Sequence, residues 1–226
     1  MLPLYLSRQA YVRAKVGSFV LDDPGIPASE KEEAVKTAAG YYKLAWDYTK
    51  PRQGRLILMS GLSGSGKSTT ARYLARQLGA IHVRSDAVRK HLGGIPLSER
   101  GGDDLYTAEM TQKTYTRLLD LGVMLAGLGF SVILDAKYDK QPLRKQAIAQ
   151  AQEYQIPIEI IHCTAPVDVL RSRLQTRTGD IADATADLLT SQVEQAEAFT
   201  EQEKPLVKIL DTTQPLEAQL KEVISQ

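Results

Sequence analysis

Leu56-Ile57-Leu58-Met59-Ser60-Gly61-Leu62-Ser63-Gly64-Ser65-Gly66-Lys67-Ser68-Thr69-Thr70 is the stretch that decides the fold. An apolar run leads into a glycine-rich turn, and the turn leads into the start of a helix. Residues 56–59 suit a strand buried on both faces of a parallel sheet. Gly61, Gly66, Lys67 and Ser68 fill the defining places of G-x-x-x-x-G-K-[ST]. That spacing serves phosphate binding. Glycines let the backbone turn so that successive N–H groups point at one anion. A helix beginning near Lys67 adds its unpaired N–H groups and the positive end of its dipole. Ser63, Gly64, Ser65 and Thr69 then belong to the phosphate cradle, Lys67 reaches the β- and γ-phosphates, and the Ser68 hydroxyl ligates Mg²⁺. Leu74 and Leu78 follow at helical spacing, and Gly79 ends the run. An ordinary glycine-rich loop that binds nothing is the alternative, and the strand before and helix after weigh against it.

The chain around this stretch has 226 residues, 43% hydrophobic and 24% charged, enough for one substantial α/β domain and an appendage. Its formal net charge is +1, which points to neither nucleic acid nor a membrane surface as a partner. Cys163 is the single cysteine, so there is no internal disulfide framework and no multi-cysteine metal site. Its place in an apolar run makes it a small packing residue. No basic segment followed by a long apolar core opens the chain, and no run reaches the ~18 apolar residues of a membrane helix. A cytoplasmic location is expected.

Residues 1–50 hold half of the aromatic side chains, Trp46 among them. Helices are expected over 4–19 and 29–48, joined by the turn-forming Asp22-Asp23-Pro24-Gly25-Ile26-Pro27. Ser29 and Glu32 have capping-box spacing. The aromatics read as packing residues, and Arg8, Arg13 and Lys15 as a solvated face. Pro51-Arg52-Gln53-Gly54 marks a boundary, giving a helical extension over 1–50 and a second domain over 55–226.

Beyond the phosphate loop, residues 80–86 read as a short strand ending in an acid. Asp86 and Arg89 are three apart and share one helix face. At the carboxyl end of a parallel strand such an acid can orient and deprotonate a hydroxyl, and such an arginine can hold an anion. A helix cap and an intrahelical ion pair are the plainer use. Residues 92–104 are loop by composition, and a helix over 105–128 is ended by Gly129. A third strand over 130–135 ends in Asp135, suited to hold Mg²⁺ directly or through water, or else an ordinary turn acid. Lys137 and Tyr138 follow it. A helix over 141–155 and a strand over 156–164 come next. His82, His91 and His162 lack a second ligand at metal spacing and read as structural. In the helix opened by Pro166, Arg173 and Arg177 are i,i+4 neighbours that can converge on a transferring phosphoryl group, the alternative being a solvated basic face. Residues 184–202 read as helix, 206–210 as a fifth strand and 216–224 as a closing helix. Alternation of this kind means a parallel sheet covered on both faces. Arg89, Lys90, Lys137 and Arg144 surround the expected acceptor side and suggest an anionic compound there.

Residues 55–226 resemble the P-loop small-molecule kinases of the adenylate kinase, gluconate kinase and zeta-toxin type. The matching pieces are 61–69, the Asp86-Ala87-Val88-Arg89 unit, Ile133-Leu134-Asp135-Ala136, the Arg173/Arg177 pair and Asp211-Thr212-Thr213. The resemblance implies a three-layer α/β P-loop NTPase kinase fold with a five-stranded parallel sheet and a small lid. It implies ATP and Mg²⁺ as cofactors, Asp86 near the acceptor, Arg173 and Arg177 closing over the phosphates, and Thr213 near the adenine. Residues 177–184 leave room for only a short lid, which disfavours AMP as acceptor. Where many relatives have Asp-Ala-Thr-Phe, this chain has Asp135-Ala136-Lys137-Tyr138. Residues 11–16 look like the last helical part of an aminoglycoside-phosphotransferase-like domain, as if the chain were the C-terminal half of such a fusion or a shortened form.

The expected activity is therefore ATP-dependent transfer of a γ-phosphoryl group to a small, anionic acceptor. Lys67, Asp86, Arg173 and Arg177 would be catalytic, Arg89, Lys137 and Arg144 would bind the acceptor, and Ser68 and Asp135 the metal. A nucleoside monophosphate kinase is the second reading. An ATP-binding regulatory module, docking a partner through the N-terminal helices, is the third.

Overall fold

The structure, a computed structural model, describes residues 2–50, 53–99, 101–176 and 189–224. The chain divides into two units, Met1–Arg52 and Gln53–Gln226. Among the described residues no helix is long and apolar enough to cross a membrane.

The first unit is a helical hairpin, α1 (Leu2–Ser18) and α2 (Ala28–Thr49), joined through a 3₁₀ turn at Phe19–Asp22. Its seam is made of alanines: Ala10, Ala14, Ala38 and Ala45 are buried. Small side chains let the backbones approach, and the Ser7 hydroxyl donates across the seam to the Ala45 carbonyl at 2.9 Å. Most of the large side chains face outward. Leu4 is 70% exposed and Trp46 66%, so the aromatics do not form the packed interior that their spacing suggests. The expected capping box is also absent. Pro27, with φ fixed near −60° by its ring, takes the N-cap two residues before Ser29, and its carbonyl accepts from the N–H groups of Glu30 and Lys31. Ser29 therefore lies inside the helix.

The second unit is built on a five-stranded parallel sheet in the order β2-β3-β1-β4-β5. The strands are β1 (Arg55–Ser60), β2 (Ile81–Arg84), β3 (Ser131–Asp135), β4 (Ile158–Thr164) and β5 (Val207–Asp211). β1 is central because every residue from Leu56 to Ser60 is buried, and only a middle strand has both faces covered. Its side chains alternate between two cores. Leu56 and Leu58 pack with Leu118 of α5 (Ala108–Gly127) and Ala147 of α6 (Gln141–Glu153). Ile57 and Met59 pack with Leu74 of α3 (Lys67–Leu78) and Leu220 of α9 (Leu216–Ile224). Each fully buried leucine or isoleucine contributes about 1.5–3 kcal/mol. The result is three layers, helices on either side of the sheet.

Connectivity places the site. From β1 the chain runs outward to the edge strand β2, whereas from β3 it crosses β1 to reach β4. The direction of winding therefore reverses at β1, and the crevice at its carboxyl end is where such sheets take ligands. Register brings Met59 opposite Asp135, and Asp135 opposite Arg84. A third, small cluster joins α7 (Val167–Gln175) and α8 (Leu189–Gln195) through Leu170, Leu174 and Leu189, with Leu62 of the phosphate loop against it.

Two expected elements differ. β2 stops at Arg84, so Asp86 sits in the first turn of α4 (Ser85–Leu92) rather than at a strand end. The helix expected over 184–202 is described only from 189, and α8 ends at Gln195. Residues 197–203 leave the helix because they have partners elsewhere: the Glu197 N–H donates to the Asp139 carbonyl at 2.9 Å, and Glu203 pairs with Arg144.

Candidate active site

The phosphate loop follows β1 and depends on its glycines. Gly61 has φ +131°, and a Cβ there would lie 2.3 Å from the Cys163 carbonyl oxygen. Gly64 has φ +80°, and its Cβ would meet the Leu170 carbonyl at 2.7 Å. Both positions exclude a side chain by conformation and by space. The turn after β3 supports the loop from below. The Lys137 carbonyl accepts from the Gly61 N–H at 3.1 Å, and the Tyr138 carbonyl accepts from the Ser60 hydroxyl at 3.3 Å. The loop is also tied from above, where the Ser63 N–H donates to the Gln192 side-chain carbonyl of α8 at 3.1 Å. Ser65 Oγ is buried without a hydrogen-bond partner, a polar atom that a bound phosphate oxygen would satisfy. Glycine turns, a helix start at Lys67 and this hydroxyl together fit a phosphate chain.

Lys67, Ser68, Asp135 and Asp86 converge at the mouth of the loop. Lys67 donates to the Leu62 carbonyl at 2.7 Å. Desolvation lowers its pKa, opposed by the carboxylates of Asp135 and, more weakly, Asp86. Burial pushes the Asp135 carboxyl up, but hydrogen bonds from His82 and Ser68 and the Lys67 charge outweigh it and hold it below its ordinary value. His82 Nε2 lies 3.0 Å from Asp135 Oδ2, and Arg84 Nε lies 3.5 Å from the same oxygen. Asp86 is partly exposed and 3.9 Å from Arg84 Nη2. Among the described residues no cluster of three or more His, Cys, Asp or Glu side chains forms a metal cage. A Ser68 hydroxyl hydrogen-bonded to a single carboxylate is nevertheless the donor set Mg²⁺ uses when phosphate and water oxygens supply the rest.

Other site residues lie away from the crevice or are already engaged. Arg144 is fully buried. It pairs with Glu203 at 2.8 Å, donates to the carbonyls of Tyr138, Glu197 and Ala198, and lies over the Phe199 ring. An arginine so satisfied is a structural strut, which overturns its assignment to the acceptor. Arg89 is 7% exposed, donates to the Leu105 carbonyl at 2.7 Å and to Thr111 Oγ1 at 3.3 Å, and lies over the Tyr106 ring. Lys90 is buried too and donates to the Leu97 and Glu99 carbonyls. Both pin the loop after α4. Lys137 stays accessible but is paired with the buried Asp139 at 3.2 Å. Arg173 reaches the Gly64 carbonyl, and it donates to Thr212 Oγ1 at 2.8 Å and to the Thr212 carbonyl at 2.9 Å. It ties the phosphate loop to the turn after β5. Thr213 is exposed and bonded to Asp211. Arg177 lies outside the described residues.

Cys163 is buried and free, its thiol pushed up to about 11 by burial, as a packing residue should be. His162 is lowered by burial and lies 3.2 Å from Ser60 Oγ. Sequence reasoning missed the engagement of His82, Arg84, Gln192 and Thr212. For the first two the signal was their i,i+2 spacing on a strand, which becomes informative only once β2 is known to lie beside β3.

A central strand running into a glycine phosphate loop, an acid on the neighbouring strand and helices on both faces constitute the P-loop kinase fold. The AAA-domain family model matches residues 56–202, and the chain belongs to that family. An uncharacterized Mycobacterium tuberculosis protein is 33% identical over 188 residues, covering 81% of this chain. The chain spans only 36% of that relative's length. A shikimate kinase of Geobacter sulfurreducens is 26% identical over 157 residues, covering 65% of this chain and 80% of that enzyme. The solved structure of a Janibacter sugar kinase superposes with a TM-score of 0.56 at 26% identity, covering 76% of this chain and 93% of that one.

Proposed function

We propose that this chain is an ATP-dependent kinase that transfers the γ-phosphoryl group to a hydroxyl of a small acceptor. The observation that carries the proposal is the convergence of Lys67, Ser68, Asp135 and Asp86 at the mouth of a glycine loop shaped for phosphates. The loop N–H groups and Lys67 would hold the β- and γ-phosphates in line with the acceptor. Asp86, partly exposed beside that loop, would orient the acceptor hydroxyl and take its proton. Ser68 and Asp135 would hold Mg²⁺, which supplies charge neutralisation on the phosphate oxygens. Arg173 would fix the spacing between the phosphate loop and the β5–α9 turn. The named relatives that phosphorylate small molecules support the same class of reaction.

Charge accounting changes the expected acceptor. Of the four cations that suggested an anionic compound, Arg89, Lys90 and Arg144 are buried and bonded to the protein's own oxygens. Lys137 is matched by Asp139, and Asp86 adds a partly exposed carboxylate near Lys67. None of these four cations is therefore spare for a phosphate or sugar acid, which favours a neutral polyhydroxyl acceptor, such as a sugar or polyol, over a nucleoside monophosphate. The test is transfer from labelled ATP across neutral sugars and polyols, sugar acids and nucleoside monophosphates. Transfer to the neutral set is expected. Production of ATP and AMP from ADP alone would establish the nucleotide kinase instead, and tight ATP binding without transfer to any acceptor would leave a nucleotide-binding module. In that last case the N-terminal helices, on which Leu4, Phe19 and Trp46 are exposed, would be the docking surface.

A further inference from the structure

We infer that His82 is a positioning residue for the metal site, acting through Asp135. The inference rests on the assignment of Asp135 to Mg²⁺ made above. β2 is a four-residue edge strand, and His82 and Arg84, two apart, project from the same side of it. Both reach Oδ2 of Asp135, His82 at 3.0 Å and Arg84 at 3.5 Å. Asp135 is only 4% exposed, so its direction is set by protein rather than by water. With its proton on Nε2, His82 donates to one carboxylate oxygen and stops the group rotating. Ser68, from the phosphate-loop side, hydrogen-bonds the same carboxylate, so the group is held between β2 and the start of α3. Arg84 alone cannot do this, because it also leans toward Asp86 at 3.9 Å. His82 is thus to Asp135 what an outer-shell hydrogen-bond partner is to a metal ligand, and loss of such partners weakens metal binding by about 10–100-fold.

The experiment is calorimetric titration of ADP at graded Mg²⁺ concentrations, and in excess chelator, for the wild type and for His82→Leu, His82→Gln, His82→Asn and Asp135→Asn. His82→Leu is expected to raise the Mg²⁺ concentration at half-effect by about 10–100-fold, with ADP affinity in chelator unchanged. His82→Gln, whose amide nitrogen reaches nearly as far as Nε2, should restore the midpoint to within a few-fold of wild type. His82→Asn, whose amide falls short, should not. If His82→Leu does not fold, the Gln/Asn contrast decides the matter alone. Asp135→Asn tests the parent assignment: an unchanged Mg²⁺ midpoint there removes Asp135 from the metal site. A shifted midpoint in Asp135→Asn with wild-type midpoints in both His82→Leu and His82→Asn overturns the role of His82 and leaves Asp135 in place.

Discussion

The two sides of the crevice solve opposite problems. On the side proposed for the phosphate donor, the loop from Gly61 to Ser68 offers backbone N–H groups and a lysine, with the buried Ser65 hydroxyl unpartnered. On the acceptor side, side chains that look like binding groups are consumed by the fold: Arg89 and Lys90 hold the loop after α4, and Arg144 holds residues 197–203. A cation serves a stray carbonyl of its own chain as well as it serves a substrate. Residue type therefore identifies a backbone-made anion site far better than it identifies a side-chain-made one.

The donor side is most exposed to test at Lys67. Lys67→Ala is expected to lower transfer from ATP by about 10³-fold or more, measured as steady-state turnover; retained activity would remove the loop from the chemistry. Asp86→Asn should lower kcat by about 10²–10⁴-fold with ATP affinity preserved by calorimetry, and unchanged turnover would exclude Asp86 as the base. Arg144→Met should act on stability, because it strands Glu203 in the interior. A loss of about 3–5 kcal/mol is expected, read by denaturant unfolding and largely recovered in the Arg144→Met/Glu203→Leu double variant. A raised acceptor KM with unchanged stability would return Arg144 to the acceptor.

A smaller effect is expected in acid. The Asp135 and Glu203 carboxyls are both held below their ordinary values, Glu203 because hydrogen bonds from Arg144 and Thr200 overcome its burial. A depressed carboxyl stabilises the fold fully above its unfolded value and loses that contribution as pH falls through the folded one. Melting temperature should therefore be flat down to about pH 4.5 on account of these groups and decline below it. In Glu203→Gln part of that decline should disappear, and a decline identical to wild type would exclude Glu203 as a source.

What the sequence made legible is what is local. β1, the phosphate loop and the start of α3 follow from fifteen consecutive residues, and Gly79 closes α3 in the left-handed conformation its position demands. The alternating pattern gave the parallel sheet. Strand order was not legible, since β2 and β3 are joined through α4 and α5, and nothing in the residues 81–84 says which strand they lie beside. His82 and Arg84 gain their meaning only from that adjacency. The partners of Arg89 and Arg144 were illegible for the same reason: Glu203 is 59 positions from Arg144. At Ser29, a competing local signal won, because Pro27 started the helix before the capping pair could.

The ties within the phosphate loop bear on how tightly it can grip. The Ser63 N–H already has Gln192 as acceptor, and the Lys67 ammonium already has the Leu62 carbonyl. A nucleotide that takes up either donor replaces a bond rather than adding one. Its affinity is then a difference between two sets of hydrogen bonds, well below what a count of its contacts would suggest. In the proposed kinase such trading would keep a product nucleotide from becoming a trap, because Gln192 and the Leu62 carbonyl stand ready to take the two donors back.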